Sequence, residues 1–148
     1  MASADSKAID EAQISKLIDD QANAVRAKDV NGSISNYSAD IVSFDVVDPL
    51  QKLGLDACRK RAKEWFSSFQ GPIDYQISER NITTGDDVAF CHSLNRVRGT
   101  KTDGGSIEMW WRATVCYRKI DGRWMVTHEH SSVPFDVRTG KASLDLKP

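Results

Sequence analysis

Residues 73–133, IDYQISERNITTGDDVAFCHSLNRVRGTKTDGGSIEMWWRATVCYRKIDGRWMVTHEHSSV, decide the fold. Four β-branched and aromatic runs lie in this stretch: Ile73 to Thr83, Val88 to Val97, Ile107 to Lys119 and Trp124 to Val133. Gly85-Asp86-Asp87, Asp103-Gly104-Gly105 and Asp121-Gly122 separate them, and all three are turn signals. Long strands joined by tight turns predict an antiparallel meander. One face of such a sheet needs a cover, and the chain before it has to supply one.

Upstream, the apolar period changes from two to three and four. Ile9, Ala12, Ile14, Leu17, Ile18, Ala22 and Val25 predict a helix from Ala8. Asp5 or Ser6 would cap it, with Asp10 and Glu11 in or near the first turn at the positive end of the helix dipole. A short second helix is expected at about 29–37, with Val30, Ile34 and Tyr37 on one face. Ile41 to Val47 reads as a strand ended by Asp48-Pro49, with a loop to Gly54. Leu55 to Phe69 is helical again, and Gly71-Pro72 is its expected stop. Residues 1 to about 7 are polar and expected to fray, and the tail after Pro134 is expected to be irregular. Helices followed by hairpin strands make an α+β architecture: N-terminal helices packed on a curved antiparallel β-sheet. A cavity between sheet and helices is then the default ligand site.

Composition narrows the function classes. The 148 residues suit one domain spanning 1–148 with its core at about 8–135. A chain that is 40% hydrophobic with a net charge of −1 offers no global basic field, so nucleic acid and anionic membrane are not expected partners. The basic run Arg59, Lys60, Arg61, Lys63 reads as a solvated helix face. The N-terminus has no apolar h-region and no stretch approaches a membrane span, so a cytoplasmic protein is expected. Cys58, Cys91 and Cys116 lack CxxC spacing and read as buried apolar groups or free thiols. There is no glycine-rich phosphate loop, no GxSxG and no Cys-His nucleophile signature, and no cofactor is expected.

Two segments resemble the NTF2-like superfamily, in particular its SnoaL-like and ketosteroid-isomerase-like branch. One is KDVNGSISNYSADIVSFDVVDP at 28–49, with Gly54 beyond it; the other is DGRWMVTHEHSSVPFD at 121–136. The element order carries the resemblance over about residues 8–135. It implies a cystatin-like cone, a pocket for a small-molecule ligand and a homodimer. It leaves activity open, because the superfamily holds isomerases, cyclases, dehydratases, hydrolases, binding modules and oligomerisation domains. In the steroid isomerases an acid at the end of the first strand shuttles a proton, and Asp45 falls on that position. The oxyanion-hole tyrosine and protonated acid of those enzymes fall at Gln21 and at or near Thr114. Both can donate hydrogen bonds, but neither is an acidic hydroxyl or carboxyl, which argues against steroid isomerisation. A related proton abstraction or addition stays open.

Beside that resemblance, Asp45 reads either as a desolvated pocket base with a raised pKa or as the exposed alternate of a half-buried strand. His128 and His130, two apart on a strand, share one face. They are acid–base or ligand-binding candidates, or strand histidines that hydrogen-bond neighbours. A metal would need Cys91, His92 or Cys116 beside them, without a compact ligand motif to support it, so none is expected. The Asp121-Gly122 hairpin decides their company. A two-residue turn pairs Ile120 with Arg123, sets the histidines with Val115 and Ala113, and leaves Thr127, Glu129 and Ser131 to line the pocket. A G1 bulge at Gly122 instead sets them with Trp110, Arg112 and Thr114, with Glu129 on the other face. The second is preferred because it gathers Arg112, Thr114 and both histidines opposite Asp45 with Trp124 and Val126 inside. Arg112 needs a partner, either an acid of the chain or a ligand carboxylate. His92 reads as a pocket group or a satisfied core histidine, and Trp110, Trp111 and Tyr117 as pocket wall, core or dimer patch. Two readings result: a cofactor-free acid–base enzyme of isomerase, hydrolase or lyase type acting on a polar organic substrate, or a non-catalytic ligand-binding or oligomerisation module.

Overall fold

The computed structural model describes residues 3–148, so the first two of the residues expected to fray lie outside it. Ser3 is extended, its Oγ accepts the Ser6 N–H at 3.1 Å, and helix α1 (Ala4–Arg26) starts there, earlier than the periodicity predicts. Ile14, Ile18, Ala22 and Val25 form its buried stripe. Asp10 departs from its expected dipole role. It is buried and accepts hydrogen bonds from Trp124 Nε1 at 3.1 Å and Lys119 Nζ at 3.0 Å, tying the helix to the sheet.

Helix α2 (Val30–Ser33) is one turn, capped by the Asp29 side chain, which accepts the Gly32 N–H at 3.0 Å. Tyr37, expected on that helix, instead opens strand β1 (Tyr37–Phe44). A two-residue strand β2 (Lys52–Leu53) interrupts the predicted loop. Helix α3 (Leu55–Ser67) stops before Phe69, because that ring is drawn into the core at 4% exposure. Gly71-Pro72 is therefore not the helix stop. It lies inside β3 (Phe69–Thr84), within an irregularity between Gln70 and Asp74 that bends the strand.

The remaining strands are β4 (Val88–Lys101), β5 (Ser106–Ile120) and β6 (Arg123–Ser132). They form one unclosed, curved six-stranded sheet in the order β2-β1-β6-β5-β4-β3. Neighbours are antiparallel except β1 and β6, which run parallel and bring the two ends of the fold together. The concave face packs on the helices in two apolar clusters, one around Ile14, Ile41 and Trp124 and one around Phe66, Phe69 and Val97. No helix among the described residues is long and apolar enough to cross a membrane.

The β5–β6 hairpin combines the two expected registers. Asp121 and Gly122 both have positive φ, at 51° and 77°, and Ile120 pairs with Arg123, as a two-residue primed turn requires. Farther along, Val126 pairs with Tyr117 but His128 pairs with Cys116. Thr127 is thus an extra, unpaired residue, and the parity change predicted for Gly122 happens five residues later. Before it, Trp124 and Val126 point inward; after it, Glu129 does.

Candidate functional site

A cavity of about 570 Å³ lies between the concave sheet face and the helices. Its polar wall is built from three elements. Glu129 of β6 receives a hydrogen bond from Tyr37 Oη to Oε2 at 2.6 Å and one from Ser43 Oγ to Oε1 at 2.9 Å. Gln21 of α1 donates from Nε2 to Tyr37 Oη at 3.0 Å and to the Ser33 carbonyl at 3.2 Å. The parallel pairing of β1 with β6 sets Ser43 directly opposite Glu129, so topology fixes this contact.

A second polar group sits where β1 ends. Asp45 Oδ2 accepts from Lys52 Nζ at 3.1 Å and from Arg61 Nε at 3.0 Å, and Oδ1 accepts the Val46 N–H at 2.7 Å. The rest of the wall is mostly apolar. Trp65, Trp111 and Tyr75 form an aromatic cluster, with the Trp65–Trp111 centroids 6.5 Å apart at 86° and Tyr75–Trp111 at 5.9 Å. Lys101 also lines the cavity, its Nζ 3.9 Å from the Phe69 ring centroid and 2.8 Å from Ser68 Oγ.

The two carboxyls are tuned in opposite directions. Burial pushes Glu129 above the usual glutamate range, and the hydrogen bonds from Tyr37 and Ser43 only partly offset it. Burial also acts to raise Asp45, but the hydrogen bonds and charges of Arg61 and Lys52 outweigh it and hold the carboxyl below its ordinary range. Tyr37 is pushed well up, by burial first and then by the Glu129 charge, so its hydroxyl keeps its proton and donates. Burial pushes the Cys58 thiol up to about 11, which leaves it a poor nucleophile. Held by two hydroxyl donors and not by cations, Glu129 is the wall carboxyl whose hold on a proton is strengthened by burial.

A family model described as the SnoaL-like domain matches residues 14–136. The chain belongs to the SnoaL-like family. Within the NTF2-like superfamily, this SnoaL-like chain is similar to an NTF2-like protein of unknown function from Pseudomonas putida KT2440, at 38% identity, with 95% of this chain and 98% of that one covered and a TM-score of 0.86. It is also similar to a ketosteroid isomerase-like protein from Erwinia carotovora atroseptica, at 22% identity, 82% and 93% coverage and a TM-score of 0.70. A putative calcium/calmodulin dependent protein kinase II association domain from Xanthomonas campestris gives 20% identity, 84% and 87% coverage and a TM-score of 0.72. The last two likenesses speak for the fold alone. No curated relative matches the chain.

The expected site residues of this SnoaL-like chain divide between the two sheet faces. Gln21 and Asp45 line the cavity. His128 and His130 do not: they lie on the outer face, where the Phe44 ring meets them edge-on at 4.7 and 5.4 Å. His128 Nδ1 is 2.7 Å from the Val42 carbonyl. His92 is exposed and pairs across Thr114 with His130, so these form one outer row. Arg112 is outward too and donates to Ser132 Oγ at 3.1 Å, not to an acid. Trp110 stands outside beside Arg96, while Trp111 is in the cavity wall. Thr114 borders the cavity, but strand alternation puts its exposed side chain with the outer row. The grouping of histidines with Arg112 and Thr114 is therefore present, on the face away from Asp45. The physical reason is the residue inserted at Thr127, which turns everything after it over.

Glu129, Tyr37, Arg61, Lys52 and Lys101 are the cavity groups that sequence reasoning did not select. Glu129 lines the pocket in the register that was set aside. Arg61 belongs to the run read as solvated, yet it turns inward to Asp45 while Lys60 and Lys63 stay exposed. Lys52 is 8% exposed, fixed by the short strand that the sequence does not announce.

Proposed function

We propose that this SnoaL-like chain is a cofactor-free acid–base enzyme for a small organic substrate, with Glu129 as its proton-transfer group. The observation that carries this reading is Glu129 itself: a carboxyl in the wall of a largely apolar cavity, raised by burial and held by two hydroxyl donors. In the ionised form, each carboxylate oxygen spends one lone pair on Tyr37 or Ser43 and keeps one for the substrate. It takes a proton from an acidic C–H or from water, and the electron pair moves onto the substrate. Protonated Glu129 then returns that proton to another carbon in an isomerisation, or to a leaving oxygen in an elimination. Once Glu129 is neutral, the Tyr37 hydroxyl loses its anionic partner and is available to an oxyanion forming on the substrate. Asp45, locked to two cations, serves as an electrostatic anchor in this scheme.

The test uses 2-tetralone, an aromatic ketone with exchangeable α-hydrogens, followed by NMR in deuterated buffer. The wild-type protein accelerates α-deuteration, and Glu129→Gln removes the acceleration while Asp45→Asn retains most of it. Undiminished exchange in Glu129→Gln, or no acceleration by the wild type, sinks the acid–base reading.

A second reading, assembly through the outer face into a homodimer, is favoured by the exposure there of Val88 at 53% and of Phe90 at 44%, the latter opposite Cys116. Phe90→Asp then converts dimer to monomer in sedimentation; an unchanged sedimentation coefficient rejects this interface.

A further inference from the structure

Three cations, Lys52, Arg61 and Lys101, line the cavity, and only the first two pair with its Asp45 carboxylate. Lys52 and Arg61 share a single oxygen of Asp45, Oδ2. The terminal guanidinium nitrogens of Arg61 make no hydrogen bond with any described residue, since only its Nε reaches Asp45. Lys101, half-buried, forms no ion pair among the described residues and rests on the Phe69 ring and Ser68 Oγ. Burial first, and then the charge of Arg61, push the Lys101 ammonium down, while Asp103 offsets this only in part. Of the other acids of the wall, Glu129 is held by Tyr37 and Ser43, and Glu64 is exposed to solvent. Two neighbouring cations with unspent donors thus face a space that the chain's own acids do not fill.

The same cavity wall holds the aromatic cluster of Trp65, Trp111 and Tyr75, whose mutually angled rings offer apolar aromatic surface. A guanidinium fork and an ammonium next to aromatic walls fit a carboxylate attached to a ring. We infer that the cavity selects organic anions, and that its ligand is a ring-bearing carboxylate whose ring lies against Trp65 and Trp111 and whose carboxylate docks between Arg61 and Lys101. This rests on the reading of the cavity as a small-molecule site, but not on Glu129 being catalytic. It places the charged end of the substrate at the Arg61 side and leaves the opposite, uncharged end to Tyr37, Ser43 and Glu129.

The experiment measures binding of 2-naphthoate and of its uncharged isostere 2-naphthamide, followed by quenching of tryptophan fluorescence and by calorimetry. The wild type binds the carboxylate about tenfold to a hundredfold more tightly than the amide, the size of a lost charge-assisted contact. Added salt narrows the gap. Lys101→Met, which leaves the Asp45 ion pairs intact, reduces the preference several-fold, and Arg61→Gln reduces it further; circular dichroism verifies that each variant is folded. Equal binding of acid and amide by the wild type overturns the anion preference while leaving the cavity a ligand site. Preference that survives in both variants overturns the assignment to Arg61 and Lys101. Binding of neither probe overturns the cavity reading and this inference together, whereas selective binding without deuterium exchange of 2-tetralone leaves the inference standing and removes the catalytic one.

Discussion

The two faces of the sheet carry similar polar inventories in opposite conditions. On the concave face, Glu129 is hydrogen-bonded by Tyr37 and Ser43, Asp45 is held by Lys52 and Arg61, and Glu129, Tyr37 and Asp45 are shifted from their ordinary titration ranges. On the outer face, His92, His130, Arg112 and Thr114 are exposed. The outer row looks more like chemistry in the sequence, and the inner row is where chemistry has physical support. Residue type is the weaker guide here; enclosure is what turns a carboxyl into a tuned acid.

The sharpest way to break this comparison is to disable one face at a time. Glu129→Gln is expected to lower deuterium exchange of 2-tetralone by about 10²–10⁴-fold, the usual weight of a general base, while His128→Asn with His130→Asn leaves it standing. The reverse result would move the site to the outer face.

Next in size is the tie between helix and sheet. Asp10→Ala leaves Trp124 Nε1 and Lys119 without their acceptor and should cost about 1.5–3 kcal/mol in urea unfolding. Tyr37→Phe removes one donor to Glu129 and should cost about 1 kcal/mol, with the Glu129 carboxyl moving further up.

The pH dependence of stability separates the two carboxyls. Glu129 holds its proton more firmly folded than unfolded, so from its ordinary value of 4.5 up to its raised folded value stability falls as pH rises. Asp45 works in the other sense: its contribution is complete above 3.8 and is lost as pH falls through its lowered folded value. Urea midpoints across pH should therefore lose their upper slope in Glu129→Gln and their acid-side slope in Asp45→Asn. The smallest effect belongs to the outer row, where His92→Asn should shift stability by no more than about 0.5 kcal/mol.

The fold was legible because its signals are local. Three Gly- and Asp-rich turns and the runs between them define the meander, and the stripe from Ile14 to Val25 defines the covering helix. The position of Asp45 was legible through resemblance, but its chemistry was not, since Lys52 and Arg61 reach it from seven and sixteen residues away. Arg61 hid inside a basic run, and Tyr37 hid in a segment whose spacing also suits a helix. The faces of β6 were illegible for a different reason. Nothing in WMVTHEH marks Thr127 as the residue left unpaired, because a bulge in mid-strand needs no glycine and is settled by how neighbours pack.

That unpaired threonine makes β6 behave like a reading frame. Strands are written in units of two, and one inserted letter reassigns every later symbol to the other side of the page. A homologous chain shorter by one residue at this point would present His128 and His130 to the cavity and Glu129 to the outside, with the composition otherwise unchanged. Single-residue insertions and deletions here are thus a route by which one scaffold exchanges its interior chemistry for its surface chemistry in a single step.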